Sequence, residues 1–255
     1  MRNGTRAAKT AATALVCCLG AALLGGASVT TAQPGSRQIA EARFTERLPG
    51  VPTALTFKVD YVNPNDPDGK PPAVRRVVET LAEGARFDTS VPERCAATDV
   101  QLILLGESAC PPGSRVGTGT IRIDTGFPEP NRFLHEDVVF FNNTNQLIFL
   151  TTDRDTGVHV VARSTIEGGR LTSQAPPLPG TPPDGGALDL VDTRLEAISR
   201  VIGGERRAYI TTPGLCQRHV WVNELSFTYA DGVTQTVHSL SKCTRKTAPE
   251  KGDRP

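Results

Sequence analysis

The sequence predicts an all-β domain, namely an antiparallel β-sandwich of jelly-roll type with one short helix and disulfide staples. Short segments that alternate apolar and polar side chains recur along the chain, which is the pattern of half-buried strands. Turn-forming residues are abundant, with 24 Gly and 20 Pro among 255 residues. Cysteines flank the predicted strands at local spacings. Many short strands joined by Gly- and Pro-rich turns are typical of sandwiches and related all-β folds.

The predicted strands are bounded by turn chemistry. Residues 142–145 predict a tight hairpin, and the Asp-Gly pair at 231–232 is a strong hairpin signal. Residues 63–72 and 173–186 are predicted loops, and the second could instead link two halves of the chain. Residues 188–202 fit a strand or a helix, and a strand is favoured because the neighbouring segments are β. The strands are predicted at 53–62, 73–81, 116–124, 136–141, 146–151, 158–165, 188–202, 208–212, 221–229 and 233–239.

One short helix is predicted between Cys95 and Cys110. Thr98 can cap its first turn, and Gly106 ends it. Four apolar residues give the helix an apolar side, namely Val100, Leu102, Ile103 and Leu105.

The N-terminus has the three regions of a secretory signal peptide. Residues 1–9 carry three basic side chains and no acid, and an apolar stretch follows at 11–27. Thr30 and Ala32 are small residues at the spacing of a cleavage site, so cleavage after Ala32 is predicted. A retained membrane anchor is less favoured because the apolar stretch is short for a span. The sequence therefore predicts a secreted, extracellular protein.

The remaining chain is predicted to form one domain with short flanking segments. Residues 33–43 are a polar leader, 44–243 a single β-sandwich domain, and 244–255 a charged, disordered tail. No second apolar stretch follows the signal peptide, so no transmembrane span is predicted in the mature chain. The formal net charge of +1 lacks the basic excess of nucleic-acid-binding proteins, which excludes that class.

Four cysteines remain after export, which favours disulfide bonds. Four cysteines permit three pairings. Local spacing favours Cys95–Cys110 and Cys216–Cys243. A zinc site is the alternative, but no C-x-x-C pair is present to supply its ligands. The four cysteines are therefore assigned a structural role.

Two stretches resemble uncharacterised secreted proteins of actinobacteria. Residues 95–119 contain Cys, then Ala-Cys-Pro, then Ser-x-Val-Gly-x-Gly, and residues 209–216 contain Tyr, Thr-Pro and Cys. Trp221 and a hairpin with the sequence FTYADGV follow, closed by Cys243. The resemblance covers about residues 50–243. It implies an exported, disulfide-stapled β domain and assigns no catalytic residue.

Four carboxylates are the best candidates for chemistry. Glu136 and Asp137 lie across a predicted hairpin from Asp153 and Asp155. Glycoside cleavage uses two carboxyl groups roughly 5–10 Å apart. Trp221, the one Trp of the chain, is the candidate for stacking on a sugar. An enzyme should gather these acids around one groove, whereas a binding or structural module should leave them dispersed and hydrated.

Other chemistries are less favoured. A serine nucleophile activated by a histidine is less favoured, because the sequence contains no G-x-S-x-G motif. The histidines considered for this role are His135, His159, His219 and His238. Calcium is considered at two oxygen-rich turns, 153–157 and 63–68, but ordinary Asx turns explain both. No metal ligand and no cofactor is assigned.

The sequence thus favours an exported, non-catalytic protein with a structural or ligand-binding role at or outside the cell envelope. A cell-envelope polysaccharide or a protein is the expected partner. The alternative is a carbohydrate-active enzyme, a glycoside hydrolase or lyase, that uses paired carboxylates on a jelly-roll sheet.

Overall fold

The computed structural model describes residues 35–245. The predicted signal peptide and the last ten residues of the predicted tail lie outside this range. Helix α1 is Asp99–Leu105, and two 3-10 turns follow it at Gly106–Ala109 and Pro112–Ser114. The strands are β1 (Gln38–Phe44), β2 (Leu55–Tyr61), β3 (Val74–Thr80), β4 (Arg86–Phe87), β5 (Arg115–Asp124), β6 (Phe133–Asn143), β7 (Gln146–Asp153), β8 (His159–Glu167), β9 (Arg170–Gln174), β10 (Ala187–Leu195), β11 (Ser199–Ile202), β12 (Glu205–Ala208), β13 (Ile210–Thr211), β14 (Val220–Tyr229) and β15 (Thr234–Lys242).

Eleven of these strands form one continuous antiparallel sheet. Its order is β1-β2-β10-β5-β6-β7-β8-β9-β3-β14-β15, and β11-β12 and β13-β4 form two small additional pairs. The predicted all-β class with one short helix is confirmed. One sheet takes the place of the two sheets of a sandwich, because each strand between β1 and β15 pairs with a strand on either side. Within residues 35–245, no helix combines the length and hydropathy of a membrane span.

The two outer strands of the sheet meet through side-chain hydrogen bonds. The hydroxyls of Ser239 and Ser241 on β15 accept from the backbone N–H groups of Ala42 and Phe44 on β1, at 2.9 and 3.0 Å. Asn223 on β14 donates to the Ala42 carbonyl at 2.8 Å. These side chains replace a backbone ladder, so the sheet curls into a closed wall around an interior.

Replacing Asn223 with alanine is expected to destabilise the fold by about 2 kcal/mol. Asn223 is fully buried, and its Oδ1 also accepts from the Ala82 N–H at 2.8 Å. The substitution leaves that N–H without its partner in the interior, which costs more than a lost surface hydrogen bond. Urea unfolding measures the change, with Val222→Ala, an exposed neighbour, as control. Equal stability of the two variants would contradict the structural role of Asn223.

The predicted polar leader, residues 33–43, is wrong over most of its length. Gln38–Phe44 forms β1 and pairs with β2 along its whole length. Before Phe44, the side chains that β1 buries are small or polar, namely Gln38, Ala40 and Ala42, so hydropathy does not mark most of the strand. Gln38, for example, is 2% exposed and accepts a hydrogen bond from the Tyr229 hydroxyl.

Both predicted disulfides are present. Cys95–Cys110 encloses α1 on the outer face of the sheet, and Cys216–Cys243 ties a loop to the end of β15. All four cysteines are buried, in two different apolar clusters. The start of the predicted tail is ordered, because the Thr244 N–H donates to the Arg47 carbonyl at 2.9 Å.

The helix begins as predicted. Thr98 forms a capping box with Gln101, and the α-helix ends at Leu105 with Gly106 as its cap. The expected apolar side is wrong, since Leu102 alone of its four residues is buried. The helix lies on the outside of the sheet, held against β8 by Arg163, whose Nε donates to Asp99 Oδ1 at 2.7 Å. Three residues of the predicted apolar side remain exposed: Val100, Ile103 and Leu105.

Most predicted strands and hairpins correspond closely to the observed ones, but the segment 188–202, predicted as one strand, forms two, with β10 in the large sheet and β11 in the small pair with β12. The turn between β6 and β7 contains Asn145 with φ of 51°, and Gly232 turns β14 into β15 with φ of 83°. Residues 173–186 do not link two halves, because 173 and 174 belong to β9 and 175–186 connect β9 to β10 within the same sheet. The strands that were not predicted are β1, β4, β9 and β12.

Candidate functional site

The closed wall surrounds an apolar cavity of about 490 Å³. Side chains alternate along each strand, so every second residue points inward and the cavity is lined from most strands of the sheet. On β2, for example, the predicted apolar face supplies Leu55, Phe57 and Tyr61. Phe57 is only partly buried within this face because its ring borders the empty space. Other apolar residues of the lining include Val77, Ile121, Phe149, Leu171, Val191 and Leu195.

One end of the cavity, called the deep end below, is sealed by the main apolar cluster. Leu55, Leu147 and Leu171 line the cavity and also pack in this cluster. The cluster continues to Trp221 and the Cys216–Cys243 disulfide. The deep end is therefore closed by packed side chains.

The other end opens at the start of β8, and this opening is called the mouth. Val158 and Val160 line the cavity yet are 58% and 39% exposed. The ladder between β8 and β9 covers Ser164–Glu167, so the first half of β8 has no strand beside it on that side within the described chain. Residues 175–179 face this gap and complete the lining. The missing ladder provides a route from solvent to the cavity.

The proline-rich segment 175–186, called the proline loop, covers the sheet beside the mouth. The Lys70 ammonium donates to the carbonyls of Thr181 and Gly185, at 3.2 and 2.7 Å. The Thr181 N–H donates to the Thr125 carbonyl at 2.8 Å. Arg75 pairs with Asp184 at 3.2 Å. The loop is thus attached to neighbouring connections by its second half, while its first half borders the cavity.

Glu79 is an isolated acid at the deep end. It lies on β3, lines the cavity and is 4% exposed, and its Oε1 has no hydrogen-bond partner among residues 35–245. Burial raises its pKa to about 8, because the charged carboxylate loses its hydration there. The carboxyl is therefore mostly protonated at neutral pH, and a protonated carboxyl can donate a hydrogen bond.

Glu136 and Asp153 form an acidic pair near the mouth. They are direct partners on β6 and β7, and both line the cavity and are buried. Asp153 Oδ1 accepts from the Thr156 hydroxyl and N–H at 2.6 and 2.7 Å, and these bonds lower its pKa. Burial, with a smaller effect from the Asp153 charge, raises the pKa of Glu136. Within the pair, Asp153 therefore favours its ionised form, and Glu136 is more readily protonated.

The structure separates the other predicted acids from this pair. Asp137 is exposed and accepts from Arg154 Nη2 at 2.6 Å, and Asp155 is exposed in the turn after β7. An enzyme is expected to gather all four acids around one groove, and a binding or structural module to leave all four dispersed and hydrated. Neither expectation holds for the whole set, because Glu136 and Asp153 line the cavity while Asp137 and Asp155 face solvent.

Trp221 is not a surface platform, contrary to the prediction. It is 5% exposed, packs edge-on against Phe44 with ring centroids 5.8 Å apart, and donates to the Leu215 carbonyl at 2.7 Å. Its ring is part of the main apolar cluster and cannot reach a ligand in solution.

The candidate calcium turns contain ordinary Asx hydrogen bonds. The Asn65 N–H donates to Asn63 Oδ1 at 3.1 Å, and Asp153 receives the Thr156 bonds described above. Within residues 35–245, no three His, Cys, Asp or Glu side chains are grouped to hold a metal ion. Nor does any histidine in that range bond to a serine, and His159 instead contacts the Thr152 hydroxyl at 2.9 Å.

Comparisons with family models, curated proteins and solved structures return no match to this chain. The resemblance to secreted actinobacterial proteins stays a prediction. The geometry of the cavity is therefore the basis for any functional conclusion.

Sequence reasoning missed Glu79 and the interior apolar face. The signal is present in β3, where Val77 and Glu79 are two residues apart and so share a face. An acid on the apolar face of a strand is unusual, because burial of a charge is costly. The sequence leaves the register of β3 ambiguous, since Val74, Val77 and Val78 fall on both faces.

Proposed function

We propose that the protein is an exported, non-catalytic binding protein that holds a small apolar molecule inside its closed sheet. The observation that carries this proposal is the apolar cavity of about 490 Å³. Ligand sites are commonly cavities of about 300–1,000 Å³ with apolar walls and a few polar groups. Core packing normally leaves no voids of this size, so an empty interior calls for an occupant.

The size of the cavity bounds the ligand. One water occupies about 30 Å³ of liquid, so the cavity has room for about sixteen atoms other than hydrogen. The exposed valines of the mouth, Val158 and Val160, provide an apolar path for entry. A ligand with an apolar body of this size would remove the cavity walls from water on binding, which is favourable.

Export is part of the same proposal. The predicted signal peptide and the two disulfides support a protein that works in an oxidising compartment outside the cytoplasm. A small apolar molecule is poorly soluble there and would benefit from a carrier with an enclosed site.

A polysaccharide ligand receives less support than an apolar one. Sugar binding depends on stacking platforms and many hydrogen bonds, whereas the cavity wall is mostly aliphatic and Trp221 is buried. The enzymatic alternative depends on Glu136 and Asp153, which lie side by side near the mouth. The walls around that pair offer little to hold a sugar, so binding of an apolar molecule is the better account.

Binding of the neutral fluorescent probe N-phenylnaphthylamine tests the proposal. We expect the probe to bind the protein with a rise in fluorescence, and Ala162→Trp to weaken binding by at least about tenfold, which is about 1.4 kcal/mol. Ala162 lines the cavity from β8, so an indole at this position occupies the space the probe needs. Fluorescence titration of both proteins measures the affinities.

Thr165→Trp is the matched control. Thr165 is exposed on the same strand and points to the opposite face, so the added indole lies outside the cavity. Thermal unfolding checks that both variants are folded. Failure of the native protein to bind the probe, or equal weakening by both substitutions, would overturn the assignment of the cavity as the binding site.

A further inference from the structure

The cavity has acidic groups at its two ends and mostly apolar walls between them. Glu79 pairs with Leu171 of β9, which pairs with Ile166 of β8, six residues beyond Val160. At about 3.3 Å per residue, Glu79 therefore lies about 20 Å from the mouth along the strand direction. Asp153, in contrast, lies at the mouth, since its N–H donates to the Val158 carbonyl at 3.0 Å. A molecule that fills the cavity meets Glu79 with its inner end.

Among the residues that the structure describes, none provides a counter-charge beside Glu79. The residues opposite it on the two paired strands are Leu171 and Leu225. The other titratable side chains of the cavity are Tyr61, Glu136 and Asp153, all of which are neutral or acidic. On its own strand, Arg75 pairs with Asp184 and Arg76 is exposed. Arg170 and Glu224, beside Thr80 on the neighbouring strands, are also exposed.

A buried carboxyl without a cation is most stable in its neutral form. Its O–H is then a donor that the protein leaves without an acceptor, because no hydrogen-bond partner of Oε1 is present among the described residues. Buried polar groups are nearly always paired, so the ligand is the natural source of the missing partner. An apolar molecule with a carbonyl oxygen at one end supplies an acceptor and adds no charge.

We propose that the cavity selects a neutral, chain-like lipid whose carbonyl oxygen accepts a hydrogen bond from the protonated carboxyl of Glu79 at the deep end. This inference rests on the proposed function, because it names the class of molecule that the same cavity holds. Anionic lipids are disfavoured, since a carboxylate would enter an apolar site that already contains Glu79, Glu136 and Asp153. Alkanes fit the walls but leave Glu79 without a partner.

Displacement of N-phenylnaphthylamine by matched ligands tests the inference. Methyl dodecyl ketone and tetradecane have chains of the same length and differ in the carbonyl group. For the native protein near neutral pH we expect the ketone to bind about tenfold more tightly than the alkane, since one hydrogen bond to a buried group is gained. Glu79→Leu should remove this preference while binding of tetradecane persists. Glu79→Gln should keep the preference, because an amide also donates.

The pH dependence of the preference for the ketone tests whether the protonated carboxyl of Glu79 is its cause. The preference of the native protein for the ketone should disappear at about pH 9.5, where the carboxylate forms, and should persist there in Glu79→Gln. Glu167→Gln, an exposed acid at the end of β8, is the control and should behave like the native protein.

Each failure has a distinct meaning. Absence of probe binding would overturn the proposed function itself. Binding of probe and both ligands, with the same preference in the native protein and Glu79→Leu, would overturn the role of Glu79 alone. Tighter binding of tetradecylamine than of the ketone near neutral pH would also overturn the inference if Glu79→Leu abolished it, because it would then indicate an ionised Glu79 that pairs with the ammonium group.

Discussion

Replacing Glu79 with glutamine is expected to stabilise the protein strongly at alkaline pH and to leave its stability nearly unchanged near pH 4. Burial raises the pKa of the folded carboxyl to about 8, while an unfolded glutamate has a pKa of about 4.3. Between these values the folded protein binds a proton that the unfolded chain has released. The free energy of unfolding therefore falls as the pH rises from about 4.3 to about 8, and it levels off above that.

The expected size of this effect follows from the two pKa values. Each unit of difference corresponds to about 1.4 kcal/mol, so ionisation of Glu79 costs on the order of 5 kcal/mol in the folded state. Glutamine has almost the same shape and cannot ionise, so it avoids this cost at every pH. The difference in the free energy of unfolding between the two proteins should thus be near zero at low pH and largest above about pH 8.

Urea unfolding at a series of pH values measures this difference. Glu167→Gln is a suitable control, because that side chain is exposed at the end of β8 and its substitution should leave the pH profile unchanged. A constant difference between the native protein and Glu79→Gln across the series would show that Glu79 ionises as it would in water. In that case the carboxyl at the deep end could not be the hydrogen-bond donor proposed above.

Much of the sheet could be predicted because its signals are local. Alternation of apolar and polar residues marks β2, β5 and β14, and the Asp-Gly pair before Val233 marks the last hairpin. The disulfide pairs could be predicted from spacing alone. Strand β1 could not, because the residues it buries between Gln38 and Phe44 include alanines and a glutamine whose partner, Tyr229, is far away in sequence.

The candidate site shows the same division between local and distant signals. Glu136 and Asp153 could be placed together because one hairpin joins their strands. The cavity could not be predicted, since it depends on how eleven strands close and on which inward side chains fail to fill the interior. Closure itself depends on Ser239, Ser241 and Asn223, which look like ordinary polar residues of two strands.

Removal of the Cys216–Cys243 disulfide is expected to destabilise the protein by about 4 kcal/mol and to weaken binding in the cavity. The bond closes a loop with a sequence separation of 27. The chain-entropy model assigns about 3.6 kcal/mol to a loop of this length. Loss of the sulfur atoms from the main apolar cluster adds to this cost, because both cysteines are buried there.

The Cys95–Cys110 disulfide is the matched comparison. Its loop has a sequence separation of 15, for which the same model gives about 3 kcal/mol. This bond packs with Phe141 and Ile148 in a cluster on the outer face of the sheet. The neighbouring residues Phe140 and Leu147 point the other way and line the cavity. Its removal should therefore loosen α1 and leave the interior intact.

The double alanine variants of the two bonds separate stability from binding. Urea unfolding should show losses of about 3 and about 4 kcal/mol, which are too similar to distinguish a role in ligand binding. Binding of N-phenylnaphthylamine should differ clearly, being retained without Cys95–Cys110 and reduced without Cys216–Cys243. The reason is that the second bond belongs to the cluster that seals the deep end, beside Leu55 and Leu171. Equal binding of the probe by the two variants would show that the deep end of the cavity stays closed without the Cys216–Cys243 bond.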